Sequence, residues 1–200
     1  HITGFFSVFP EDLVDRAEFF PGGFGPKYSG RVSSVLDVEM RSGNRNQRGY
    51  TASLSPFLAE ALTEGPLGAA GSQHSYIFSA RHSPIEETSP WLLGEKQPLR
   101  FNSFYLKLSS LNNDGGGRCS LTGMRSSDRG GLDPANDESR VSWSNFLVGG
   151  RCTSLASETF FDARFGYSRV DSDAITSGAS EFSSSASRVF MNADASRSFG

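Results

Sequence analysis

Long apolar runs are missing from this 200-residue chain, and so are numerous cysteines, clustered basic residues and any catalytic signature. No run approaches the roughly 18 apolar residues that a membrane helix needs, so helical spans are excluded. The exclusion stops there. A mean hydropathy of −0.35 is also what membrane β-strands give, because they alternate apolar with polar residues. The two cysteines, Cys119 and Cys152, are too few for a disulfide framework and lack metal-ligand spacing. The formal charge is −3 and the 19 Lys and Arg are scattered, which removes the electrostatic footprint of a nucleic-acid binder.

Catalytic motifs are equally scarce. Gly23-Phe24-Gly25 does not complete a dinucleotide fingerprint, and Lys27 is followed by Tyr28 rather than by the Ser or Thr of a phosphate loop. There is no serine elbow and no H-E-x-x-H zinc motif. His1, His74 and His82 form no ligand set with the cysteines, and "DRGGLDPANDESR" lacks the spacing of a calcium loop and reads as a solvated one. No enzyme activity, metal or cofactor is expected.

What is present is alternation. Residues 1 to 44 are mixed: "FPEDLVDR" reads as a short helix with Pro10 and acids in its first turn, "AEFF" as a strand, "PGGFGPKYSG" as a Gly-rich turn and "RVSSVLDVEM" as a second strand. From about Gly49 the chain gives about eight period-2 segments. In "FNSFYLKLSS", Phe104, Leu106 and Leu108 share one face, and Ser103, Tyr105, Lys107 and Ser109 the other. Phe161, Ala163, Phe165 and Tyr167 likewise oppose Asp162, Arg164 and Ser168. Val189, Met191, Ala193 and Ala195 oppose Asn192, Asp194 and Ser196.

A soluble antiparallel sandwich would show the same alternation. The connections argue otherwise. Long ones are expected at about 82–100, 126–140 and 171–187, with short ones between them, so that the long ones emerge from one end of the sheet. Outer-membrane barrels have that asymmetry.

The stretch from Glu18 to Asn44 resembles the end of the plug domain of TonB-dependent outer-membrane receptors, in the form common in Bacteroidetes-like bacteria. The resemblance rests on Glu18, Gly22-Gly23, Tyr28-Ser29-Gly30, "VSSVLDV" and Arg41-Ser42-Gly43. The "EGPLG" at Glu64 to Gly68 also resembles the turn between that family's second and third barrel strands. Tyr28-Ser29-Gly30 departs from the commoner Tyr-Gly-Gly or Tyr-Gly-Ser, and the early plug and TonB box do not occur in these residues.

The fold class this implies is mostly β: residues 1–44 as the end of a plug, and 45–200 as the N-terminal part of a transmembrane β-barrel. About eight strands alone would leave no room for a plug, which goes with about 22 strands, so the chain is expected to be a fragment. The implied function is energy-coupled uptake of a large or scarce nutrient, such as an iron chelate, cobalamin, glycan or peptide, across the outer membrane. The implied partners are the TonB complex, outer-membrane lipid, a nutrient ligand and a capping lipoprotein. Two other readings stay open: a non-transporting outer-membrane receptor or adhesin, and a soluble β-sandwich binding module.

The plug-closing residues implied are Glu18, Gly22, Gly23, Tyr28, Gly30, Arg31, Arg41 and Gly43, with Gly22, Gly23, Gly25 and Gly30 allowing positive φ and close approach to the wall. Phe24, Tyr28 and Trp91 are candidate substrate contacts. Trp91 equally suits the lipid interface, and Trp143 an aromatic girdle. If the hairpin around 126–140 is symmetric, Cys119 and Cys152 face each other; an oxidising periplasm would permit a bridge, and the sequence leaves open whether it forms.

Overall fold

The computed structural model describes residues 10–23, 34–112, 116–131, 139–156, 158–175 and 181–197. The chain divides into two compact units, Gly4–Arg41 and Ser42–Gly200, the second together with His1–Thr3.

In the first unit the expected helix is a single 3-10 turn, Glu11–Leu13, and strand β1 (Val14–Phe20) begins directly after it. The correction has a local cause. Val14 at the C-cap is already extended, and alternating chain to Phe20 pairs with β2 (Val35–Met40) instead of winding further. The pairing is antiparallel, with Glu18 opposite Asp37 and Phe20 opposite Val35.

The second unit holds β3 (Gly49–Leu54), β4 (Ala59–Pro66), β5 (His74–His82), α1 (Ile85–Leu93), β6 (Leu99–Leu111), β7 (Gly117–Gly131), β8 (Arg140–Ala156), β9 (Thr159–Ile175) and β10 (Phe182–Arg197). The eight strands form one antiparallel sheet in sequence order, β3 at one edge and β10 at the other. The mostly-β expectation and the strand count therefore hold.

Two connections differ from expectation. The strands β7 to β10 run on through residues read as long loops, so the connections there shrink to 132–139 and 176–181. Ladder pairs such as Asp128↔Trp143 and Asp173↔Ser183 continue where both faces have become polar, which erases the hydrophobic period without breaking the hydrogen bonds. The expected loop at 82–100 contains α1. Glu86 and Glu87 sit in its first turn, and Gly94 closes it in the left-handed region at φ 77°.

Register sorts the side chains into two faces. One carries Phe78, Phe104, Leu106, Leu108, Leu121 and Val148, continuing through Phe165 and Met191. The other carries Glu64, Ser79, Ser103, Ser126, Arg151 and Asp162. Burial runs against polarity. On the apolar face Phe104 is 48% exposed, Phe165 51% and Met191 83%, while on the polar face Ser79 is 1% exposed, Ser103 2% and Asp128 5%. The polar face also buries Ile77, Phe101 and Tyr105. Glycines in strand interiors lie under rings, Gly150 beneath Phe165 and Gly166 beneath Phe190, which fills the space a missing side chain leaves.

The β7–β8 hairpin is symmetric. Cys119 stands opposite Cys152 on the apolar face and the two form a disulfide, with their Cα atoms 4.1 Å apart. It closes a loop whose ends are 33 residues apart in sequence, worth about 2–4 kcal/mol. Intact-mass measurement after alkylation is expected to show no labelled thiol before reduction and two after it. Two labelled thiols without reductant would contradict the pairing.

Candidate functional site

The most specific local arrangement is a strap, residues 42–48, laid across the polar face on its way into β3. Ser109 Oγ on β6 donates to Ser42 Oγ at 3.0 Å. Gly43 is buried against the Tyr76–Ile77 backbone of β5, and a Cβ there would collide with the Tyr76 carbonyl. The Asn44 N–H donates to Glu64 Oε2 on β4 at 2.8 Å. Asn44 Oδ1 then accepts from the N–H groups of Asn46 at 2.8 Å and Gln47 at 3.2 Å, turning the chain. The Gly71 N–H, in the β4–β5 turn, donates to the Arg45 carbonyl at 2.8 Å. The strap thus crosses β6, β5 and β4 in order and pairs with the last as β3. It does so at the end of the sheet carrying connections 67–73, 112–116 and 157–158.

Only glycine fits at position 43, because the strap backbone touches the sheet backbone there. Gly65 is a second close approach: a Cβ on it would come within 2.8 Å of Arg48 Cγ.

Farther along the same face many of the side chains pair with one another. Asp162 accepts from Arg151 Nη2 at 2.8 Å and from Arg164 Nη2 at 2.7 Å, with both Nε atoms also donating. Its register partner on β10 is Asp194. Ser79 Oγ donates to Glu60 at 3.4 Å and Asn145 Nδ2 to Ser126 Oγ at 3.0 Å. The Arg81 guanidinium lies 5.6 Å from the Phe101 ring centre. This face is polar and hydrogen-bonding. It offers no nucleophile paired with a base, and among the described residues no three His, Cys, Asp or Glu side chains gather as metal ligands do.

At the opposite end of the sheet α1 sits beside β6, held by ion pairs. Lys96 and Arg100 each reach Glu86 at 3.0 Å, and Arg100 also reaches Glu87 at 3.0 Å. The hydrogen bond from Lys96, with smaller help from Arg100, holds the Glu86 carboxyl below its ordinary value against the opposing effect of burial. Trp91 lies on this helix, 81% exposed and beside exposed Leu92 and Leu93.

The predicted site residues fall as follows. Gly43 is in the strap. Gly23 has the positive φ expected of it, 67°, while Gly22 is not among the positive-φ glycines. Glu18 is 3.4 Å from Arg16 of its own strand, and Arg41 Nε donates to the Asp12 carbonyl at 2.8 Å. Phe24, Tyr28, Gly30 and Arg31 lie outside the described residues. Trp143 corrects an expectation: register puts it opposite Asp128 on the polar face, where its indole hydrogen-bonds that carboxylate, so it does not belong to a girdle on the apolar face. Position 143 is one residue off the Phe146–Val148 alternation, and one residue reverses the face. The partners of the strap, Glu64 and Ser109, were missed because nothing local in a period-2 strand marks which polar residue receives a distant segment.

No protein-family model, curated protein or solved structure matches the chain.

Gly43→Ala is expected to destabilise the second unit by about 1–3 kcal/mol through backbone overpacking, read as a lowered thermal midpoint. An unchanged midpoint would mean the strap is not seated on β5. For Glu86, a depressed carboxyl value means the stabilisation is complete above the ordinary titration range and is lost as pH falls through the lowered value. Amide protection across 85–93, corrected for intrinsic exchange, is expected to be full at neutral pH and to fall as pH drops through the lowered Glu86 value. Glu86→Gln should remove that pH dependence.

Proposed function

We propose that the chain forms part of the wall of a TonB-dependent outer-membrane receptor, with residues up to the strap as the end of its plug. The observation that carries this is the reversal of the two faces. A largely apolar surface, interrupted by Arg125 on β7, lies open while serines, Arg81, Asp128 and Asp162 are buried. Patches of that size on one sheet face call for a partner, and lipid is the one partner that covers every strand alike.

The dimensions support it. The apolar stretch on that face is bounded by Ser144 and Ser154 in β8, Thr159 and Arg169 in β9, and Ser187 and Arg197 in β10. Each interval spans about 33 Å along the strand, or about 23 Å in height at a 45° tilt, against an apolar band of about 25 Å in such barrels. Two open edges in lipid would leave backbone groups unsatisfied at several kcal/mol each, so the wall is continued by further strands. The soluble-sandwich reading would need a second sheet over the apolar face.

On this reading the strap is the junction between plug and wall. The plug fills the lumen, a nutrient binds to outer loops and plug, and TonB, pulling on a segment N-terminal to the plug, opens a path while the strap keeps the plug's end tied to β4, β5 and β6. The work is binding and gating, with no bond chemistry. Iron chelates, cobalamin, glycans and peptides are all of the class such a receptor carries. A lipoprotein over the loop end would be a further partner.

Met191→Arg tests the reading in the full receptor. Near the middle of the band it is expected to cost about 2–4 kcal/mol and to reduce assembly in the outer membrane, while Ser187→Arg at the band's edge costs about 0–1. For a soluble protein, a charge at an 83% exposed Met191 would be neutral. Equal behaviour of the two variants would reject the membrane reading.

A further inference from the structure

On the apolar side of the sheet, the rows beyond the band turn basic over β6, β7 and β8. Arg100 stands directly opposite Arg129, and Arg140 follows at the start of β8. Like charges directly opposite in a ladder repel. Lys96 joins them, so that a cleft of about 150 Å³ is lined by four cations, Lys96, Arg100, Arg129 and Arg140, with Glu86 its one carboxylate. A second cleft of about 360 Å³ shares Arg100 and Arg129 and is lined further by Ser127, Ser142 and Ser144 and by the carboxylates Asp128 and Asp173.

Among the described residues the acids leave part of this group without an ion pair. Glu86 and Glu87 are taken up by Lys96 and Arg100. Among the described residues Arg129 and Arg140 have no ion pair. Both are exposed, as Arg100 is. Two adjoining guanidinium forks with serine hydroxyls beside them suit the geometry of a phosphate group.

Height decides which phosphate. On that face the band ends at Asn102, the register partner of Ser127 and through it of Ser144, so Arg100 stands about 7 Å farther along the strand and about 5 Å in height at a 45° tilt. The headgroup layer begins where the apolar band ends and is about 5–8 Å deep. We infer that this cluster binds the phosphorylated headgroup of a lipid in the leaflet around the loop end of the strands, with the acyl chains of that lipid lying against Phe104, Leu106 and Leu108. The inference rests on the membrane reading given above.

The test uses the full receptor, extracted from outer membranes in mild detergent, against an R129A/R140A variant whose β-sheet circular dichroism matches. Native mass spectrometry counts retained glycolipid, and diphosphorylated lipid A in mixed micelles is then titrated beside its dephosphorylated form and inorganic phosphate alone. Wild type is expected to retain diphosphorylated lipid and to prefer it at least tenfold over the dephosphorylated form. R129A/R140A should lose that preference, and R129K/R140K should keep part of it. Equal retention by wild type and R129A/R140A overturns the inference. So does binding of inorganic phosphate as tight as that of the lipid, or preference for an acidic peptide over both. A wild-type receptor located in the outer membrane that retains no lipid overturns the inference and leaves the membrane reading standing, whereas a wild-type protein found in the soluble fraction overturns both.

Discussion

The two-residue period of the ladder is the constraint on which everything else depends. Eight strands hold their register from β3 to β10, and in each of them a slip of one residue would exchange Phe, Leu and Val for Ser, Arg and Asp. The register is pinned at several places by unlike means. Cys119 and Cys152 lock β7 to β8 covalently, and Asp162 ties β8 to β9 through Arg151. Phe165 and Phe190 seat over glycines of the neighbouring strand. These locks lie on both faces, so neither face can be rearranged without breaking something on the other.

The same period explains why the burial pattern is informative. Hydrophobic side chains elsewhere go inward because water is outside. Here Ser79, Ser103 and Ser126 are among the most buried groups, and Phe165, Val189 and Met191 among the most open. Buried polar groups are mostly hydrogen-bonded, as Ser79 is to Glu60 and Asn145 to Ser126, while Ser75 Oγ is buried without a partner among the described residues. The strap uses the same chemistry, with Ser109 donating to Ser42 and Glu64 accepting from the Asn44 N–H. A polar, buried surface can hold a segment by a few directed bonds and a close backbone contact, as at Gly43, and needs no apolar anchor there.

Much of the sheet was legible because half of each strand is apolar. The alternation in 101–110 and 159–168 assigns strand and face together, and the structure keeps both. Legibility ended where that contrast ended. Residues 126–131 and 171–175 are polar on both faces, so hydrogen-bonded ladder looked like loop. The helix α1 was hidden by its shortness and by Pro90 within it. Trp143 was placed on the wrong face because the residues around it, Ser142 and Ser144, give no apolar reference. At the strap, Gly43 could be singled out from the motif it closes, but its contact with Tyr76 depends on the fold of a segment thirty residues away.

The central claim is that the face bearing Val189, Met191 and Ala193 looks into lipid and the face bearing Arg188, Asn192 and Asp194 looks into a wet interior. Spin labels placed singly at positions 188 to 195 of the full receptor, reconstituted in liposomes, would measure it directly. Oxygen accessibility should rise at odd positions and fall at even ones, with a water-soluble nickel reagent giving the opposite phase. High nickel accessibility at 189, 191 and 193 would contradict the account.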